Sequence, residues 1–208
     1  MNKTLSYTLE SILALPKEFR RNLINCLSGF KSASLVGTLN EQKITNLSVI
    51  SSVFHVGATP PLVGMLMRPH SVPRHTLENI YTSGYYTINH VTEEFYPKAH
   101  YTSARFPAKE SEFTGAGLTE VYSSLHPAPY VAEAGLRIGL AYKEKHTLMN
   151  ETVLIVGQIV ELLLPEEAVM EDGFVDLCVA GTLAISGLDS YHKVEAGKRL
   201  PYAKYKAH

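Results

Sequence analysis

Two short stretches of this chain gather residue types that could do chemistry together. In "MRPHSVPRHTLENI", Arg68 ends an apolar run, Arg74 and His75 open a helical pattern, and Thr76 falls in its first turn. A helix start carries unpaired N–H donors and the positive end of the backbone dipole, so guanidinium and hydroxyl groups beside it make a seat for a phosphate. The competing reading is plainer: Thr76 caps the helix and the arginines are solvated. Upstream, "SSVFHVGATPPLV", Ser51 to Val63, sets hydroxyls and small residues ahead of Pro60-Pro61. Such a stretch reads either as a surface loop between two strands or as a loop shaped around a ligand and frozen by its prolines.

Other chemistries fit less well. "GAGLTE", Gly115 to Glu120, has two glycines of a dinucleotide fingerprint but Glu120 in the third place, and no strand precedes it. The serine of "AISGL" lacks the leading glycine of a nucleophile elbow. Nine histidines show no HxH or HExxH pairing, and no metal ligand set or catalytic residue is expected. The net charge is −1 with a pI near 6.8, so no basic surplus exists to neutralise nucleic-acid phosphates. Cys26 and Cys178 lie far apart in no CxxC pattern, as reduced thiols of a cytoplasmic protein would. No signal peptide is expected, because Glu10, Lys17 and Glu18 interrupt the apolar amino terminus. The uncharged run Ile44 to Met67 holds Asn46, His55 and Pro60-Pro61, so it reads as a core segment rather than a membrane span.

The elements that must position these residues follow from periodicity. "PKEFRRNLINCLSGF" places Phe19, Leu23, Ile24 and Leu27 at helical spacing, with Gly29 as a stop. "SASLVGTLNEQKITNLSVISSVF" reads as two strands around the polar turn "NEQK", and "PLVGMLMRP" as a third ended by Pro69. A short helix in "RHTLENIYTSG", closed by Gly84, leads into the strand "YYTINHV". An irregular excursion from Thr92 to Tyr130 follows, longer than idle loops usually are. In "LRIGLAY", Leu136, Ile138, Leu140 and Tyr142 alternate with smaller or polar residues, so one face of that strand is buried, and a second long strand ends near Pro165. Many strands, few helices and no βαβ rhythm predict a mainly β protein, an antiparallel barrel with short peripheral helices. At 208 residues one domain is expected, with its barrel core over about 32–164 and a carboxy-terminal extension over about 165–208.

The order of these pieces resembles the flavin reductase-like family with its FMN-binding split barrel. The resemblance rests on "TNLSVISSVFHVGATPPLV", "RHTLENI", "GYYTINHV", "HYTSARF", "APYVAEAGLRIGLAY" and "LIVGQIVEL", and covers most of Ser32 to Leu164. It implies that Asn46, Ser48, Ser51 and Ser52 run along the flavin, and that Arg68, His75 and Thr76 hold its phosphate. Asn89, Thr102 and Ser103 would complete the pocket. It also implies non-covalent FMN, NADH or NADPH as electron donor to flavin or a further acceptor, and a homodimer with a site shared between subunits. Hydroxyls and exposed amides suit the pyrimidine edge of isoalloxazine, and the flavin itself carries the redox chemistry.

Two departures stand out. Ser52-Val53-Phe54 replaces the usual aromatic after the serine, and the family's histidine-bearing "GDH" segment is replaced by "KHTLMNETVLIVG", with His146 displaced. The second departure leaves room for a flavoredoxin-like electron carrier with no NAD(P)H oxidation of its own. The tail "YHKVEAGKRLPYAKYKAH" mixes Lys193, Lys198, Arg199, Lys204 and Lys206 with Tyr191, Tyr202 and Tyr205. It reads either as packing on its own barrel or as a cover over the flavin entrance, where tyrosine stacks and lysine meets dinucleotide phosphates.

Overall fold

A computed structural model describes residues 3–205. The chain opens with two short helices, α1 (Leu9–Ala14) and α2 (Lys17–Cys26). Thr8 and Ser11 form a reciprocal capping box on α1, and Gly29 takes up a left-handed φ of 73° after α2. The short strand β1 (Lys31–Ser32) leads into the hairpin of β2 (Ser34–Leu39) and β3 (Thr45–Ile50). Its "NEQK" turn is closed by the Asn40 side chain, which accepts from the Ile44 amide at 2.8 Å. A second hairpin pairs β4 (Val53–Ala58) with β5 (Pro61–Met67). Helix α3 (His75–Ser83) ends on left-handed Gly84 and returns the chain to β6 (Tyr85–His90).

The excursion that follows holds α4 (Tyr96–Tyr101), α5 (Glu112–Ala116) and the small ribbon of β7 (Glu120–Val121) with β8 (Tyr130–Val131). Two eleven-residue strands, β9 (Arg137–Thr147) and β10 (Val153–Leu163), come next. The short strands β11 (Ala184–Ser186) and β12 (Ser190–His192) complete the element order and join β1 in a separate three-stranded sheet.

The main sheet has seven antiparallel strands in the order β3-β2-β6-β9-β10-β5-β4. Its two edges, β3 and β4, are consecutive in the chain and joined only by Ser51 and Ser52. A flat sheet of seven strands would hold its edges about 28 Å apart, whereas a two-residue link reaches about 11 Å. The sheet therefore curls until the end of β3 lies near the start of β4, its two edges left unpaired, which is the split barrel. The Leu66 amide donates to the Ser52 carbonyl at 3.0 Å, tying that junction to β5.

"SSVFHVGATPPLV" is thus mostly not a loop. Val53–Ala58 is a strand, as its Val and Phe favour, and only Thr59-Pro60 turns the hairpin.

The strand period divides the core in two. Val36, Met65, Tyr86, Ile88, Leu140 and Ile155 fill the barrel with Leu77 and Ile80 of α3. Leu35, Leu47 and Val131 face the other way, under Phe95, Phe113 and the small carboxy-terminal sheet. The alternation expected in "LRIGLAY" holds for Ile138, Leu140 and Tyr142, with Leu140 fully buried, whereas Leu136 precedes β9 and packs with Ala168 and Ala180.

Tyr86 is wholly buried among the barrel residues and its hydroxyl has no hydrogen-bond partner among the described residues. That hydroxyl lies over Gly157, where any Cβ would overlap it. A buried hydroxyl without a partner costs its desolvation, so Tyr86→Phe is expected to raise stability by about 1 kcal/mol in urea unfolding. A loss of stability instead would mean the hydroxyl has a partner worth more than that.

Candidate functional site

Helix α3 begins without a side-chain cap: its N-cap residue is Arg74, with φ −126° and ψ 75°. Glu78 folds back to accept from the Arg74 amide at 3.1 Å and faces His70 at 3.1 Å. The first-turn amides of His75, Thr76 and Leu77 have no acceptor among the described residues. The 68–74 segment that precedes the helix carries exposed Arg68, while the Arg74 guanidinium is turned back onto the Pro69 carbonyl at 3.3 Å. The result is a helix end with free donors and surplus positive charge.

Thr76 is buried, and its hydroxyl oxygen accepts from Asn46 Nδ2 on β3 at 2.9 Å. Its hydroxyl proton is still free to donate. Asn46 and His75 line one polar cleft of about 230 Å³ beside the β2–β3 turn, with Asn79 on its wall. A lone Thr76 cap is thus ruled out, since Arg74 holds that position.

Ser48 lies one strand period beyond Asn46 on the same face of β3, opposite Val36. Ser51 and Ser52 are half-buried at the junction of the two sheet edges. Their amides have no acceptor among the described residues. Asn46, Ser48, Ser51, Ser52, His75 and Thr76 therefore follow one line, from the barrel seam along β3 to the start of α3.

The remaining expected residues do not join that line in the same way. Asn89 is fully buried and pairs with Leu35, which pairs with Val49, so it faces away from Asn46 and Ser48. Its amide is spent on the chain itself: Nδ2 donates to the Leu35 carbonyl (3.2 Å) and Thr87 Oγ1 (2.9 Å), and Oδ1 accepts from the Val131 amide (2.9 Å). Thr102 is buried at the end of α4, donating to the Ala99 carbonyl at 2.8 Å and accepting from the Val49 amide at 3.0 Å. Ser103 is exposed in the following turn.

Glu112 is the residue that sequence reasoning missed. It is buried at the start of α5, and its Oε2 accepts from the Leu47 amide of β3 at 3.0 Å. Burial pushes its carboxyl pKa upward, opposed by the Leu47 amide and by the charge of nearby His75. Its neighbour Ser111 caps α5 and shares a 2.6 Å hydrogen bond with the Thr45 hydroxyl. The only signal was a Ser-Glu helix start inside an irregular stretch.

His146, the displaced histidine of "KHTLMNETVLIVG", sits exposed on β9, 3.3 Å from Glu144. Much of the tail is tied to its own chain. Lys193 pairs with Glu93 at 2.7 Å, Arg199 pairs with Asp172 at 2.6 Å and covers the Phe174 ring, and Tyr191 packs against Tyr96 and His100. Tyr202 and Tyr205 are exposed, and Lys206 lies outside the described residues. Among the described residues no cluster of three His, Cys, Asp or Glu could hold a metal ion, and no helix is long and apolar enough to cross a membrane.

A curled antiparallel sheet whose two edge strands stay unpaired at a donor-lined seam defines the split-barrel class. The flavin reductase like domain matches residues 30–177, and the chain belongs to that family. A candidate flavin reductase with a split-barrel domain from Shewanella frigidimarina is 48% identical, covering 96% of this chain and 100% of its own, with a TM-score of 0.92. Flavoredoxin of Desulfovibrio vulgaris shares the fold at 22% identity and a TM-score of 0.71, over 98% of this chain and 97% of that one. An FMN-binding protein of Thermus thermophilus does so at 17% and 0.70, over 97% and 100%. Two uncharacterised curated relatives, from Aquifex aeolicus and Halalkalibacterium halodurans, are 28% and 30% identical over 58% and 50% of this chain, and the matches span 65% and 51% of their own lengths.

Proposed function

We propose that this chain is a homodimeric FMN-binding oxidoreductase that takes electrons from a reduced nicotinamide and passes them to flavin or a further acceptor. The observation that carries the reading is the uncapped start of α3, bonded to β3 through Asn46 and Thr76 and running into the free amides at Ser51 and Ser52. This donor set fits FMN at both ends. Arg68, His75, the Thr76 hydroxyl and the first-turn amides suit a dianionic phosphate, and the seam amides and serine hydroxyls suit the acceptor-rich edge of the ring.

Bound FMN would supply the two-electron chemistry. The chain's own residues would seat the phosphate, orient the ring edge and leave one ring face open for a nicotinamide. No acid, base or nucleophile of the protein is needed for that.

The second reading is a flavoredoxin-like carrier that holds FMN but does not oxidise NAD(P)H. The exposed place of His146 on the β9–β10 hairpin favours it. Anaerobic mixing of the FMN-loaded protein with NADH and then NADPH separates the two. Bleaching of the flavin absorbance supports the oxidoreductase, and an unchanged flavin spectrum with both donors supports the carrier. A protein that binds no FMN at all defeats both.

The dimer draws support from the amino-terminal arm. Helices α1 and α2 bury no residue, and Leu9, Leu13, Phe19, Ile24 and Leu27 lie exposed along them. Isolated helices this short are marginal in water unless an apolar face is covered. Sedimentation equilibrium should give twice the 23.0 kDa chain mass, and a 23.0 kDa species with flavin bound would defeat the dimer. Work in the cytoplasm fits the two unpaired cysteines.

A further inference from the structure

Edge strand β3 pairs only with β2, so every second amide along it points outward with no strand to receive it. Leu47 and Val49 carry two of these outward amides, and each is taken by one side chain of the excursion. Glu112 Oε2 accepts from Leu47 and Thr102 Oγ1 from Val49, both at 3.0 Å. The Thr45 hydroxyl adds a third tie, to Ser111 at 2.6 Å. By the same alternation the next outward amide is that of Ser51, which has no acceptor among the described residues. The ties therefore stop one period short of the barrel seam.

A carboxylate is a costly group to bury for one backbone amide, because it loses most of its hydration. In return, an ionised acceptor holds an amide more strongly than a neutral one does. A polar loop could cover a strand edge at less cost. The choice of a buried carboxylate makes sense where the angle of the edge matters.

We propose that Glu112, acting with Thr102, is a positioning residue for the flavin: it fixes the roll of β3 so that the Ser51 amide meets the ring edge as a free, aimed donor. This rests on the FMN reading above. Electron density on the ring rises on reduction, so a well-aimed donor favours the reduced state more than the oxidised one. Glu112 is bonded to the Leu47 amide, and its effect passes through the backbone of β3.

The test compares Glu112→Ala, which removes the acceptor, with Glu112→Gln, which keeps an acceptor oxygen. Glu112→Ala is expected to weaken FMN binding about tenfold and make the FMN midpoint potential more negative. Glu112→Gln should stay within about threefold of the wild-type affinity and show no negative shift. In amide spectra of the wild type, adding FMN should move the Ser51 resonance and leave that of Leu47 in place. In Glu112→Ala the Ser51 response should shrink.

If Glu112→Ala does not fold, Thr102→Val frees the Val49 amide in the same edge, and the same loss and shift are expected of it. A variant that is less stable yet keeps wild-type affinity, potential and Ser51 response would reduce Glu112 to edge protection and overturn the proposal. Failure of the wild type to bind FMN is a separate result: it sinks the FMN reading and takes this proposal with it.

Discussion

Arg68→Ala should weaken FMN binding about ten- to a hundredfold while leaving riboflavin binding nearly unchanged. The two ligands differ only in the phosphate, so the difference between their losses isolates the phosphate seat. Arg68 is exposed between the end of β5 and the uncapped start of α3, and its guanidinium has no partner among the described residues. Arg74, by contrast, has its guanidinium turned back onto the Pro69 carbonyl, so among the described residues Arg68 is the arginine of this segment whose side chain makes no hydrogen bond. A charge-assisted hydrogen bond contributes about 1.5–3 kcal/mol, which is the stated range of affinity. Titration of the apoprotein with each flavin, followed by fluorescence, measures both constants. Equal losses for FMN and riboflavin would mean that Arg68 acts on the ring or the fold, not on the phosphate.

Acid should destabilise the fold through His90. The imidazole is buried and its Nδ1 lies 3.0 Å from Thr182 Oγ1, a contact that joins β6 to the carboxy-terminal region. Burial lowers its pKa from 6.5 to about 4, so the native state keeps it neutral where the unfolded chain would protonate it. Above pH 6.5 neither state binds the proton and the residue adds no pH dependence. Between pH 6.5 and about 4 the unfolded state binds more protons, so stability falls as the pH falls. That interval amounts to about 3 kcal/mol. Below about 4 the native histidine also protonates and the fall from this residue ends. Urea unfolding of wild type and His90→Gln at intervals across this range isolates the contribution, because the glutamine does not titrate. The wild-type curve should drop relative to the variant by that amount; parallel curves would mean that His90 stays accessible to protons in the native state.

The sequence alone was enough for the elements and for the polar line they carry. Period-two runs marked β2, β3, β5 and β9, a helical pattern with a terminal glycine marked α3, and both signals are local, set by sterics within a few residues. The grouping of Arg68, His75 and Thr76 at a helix start, and of the serines beside Pro60-Pro61, was legible for the same reason, and the family pattern gave their order. What only the tertiary structure decided was which groups are already spent.

Asn89 reads in sequence as an available amide, yet strand pairing turns it away from Asn46 and three backbone and side-chain partners consume it. Thr102 reads as a pocket hydroxyl, yet it closes α4 and the edge of β3 together. Ser51 to Val63 reads in sequence as a loop, on the surface or around a ligand, yet pairing with β5 makes Val53–Ala58 a strand, with Phe54 lying over Gly64 of its partner. Glu112 gave almost no signal, since a carboxylate in an irregular stretch is ordinarily solvated and only the approach of α5 to β3 buries it. Sequence period reports which way a side chain points along its own element, but hydrogen-bond saturation depends on partners that are 41 to 92 residues away, as with Thr38 and Asn79 or His90 and Thr182. Those partners exist only after a seven-stranded sheet has closed on the two-residue link at Ser51 and Ser52.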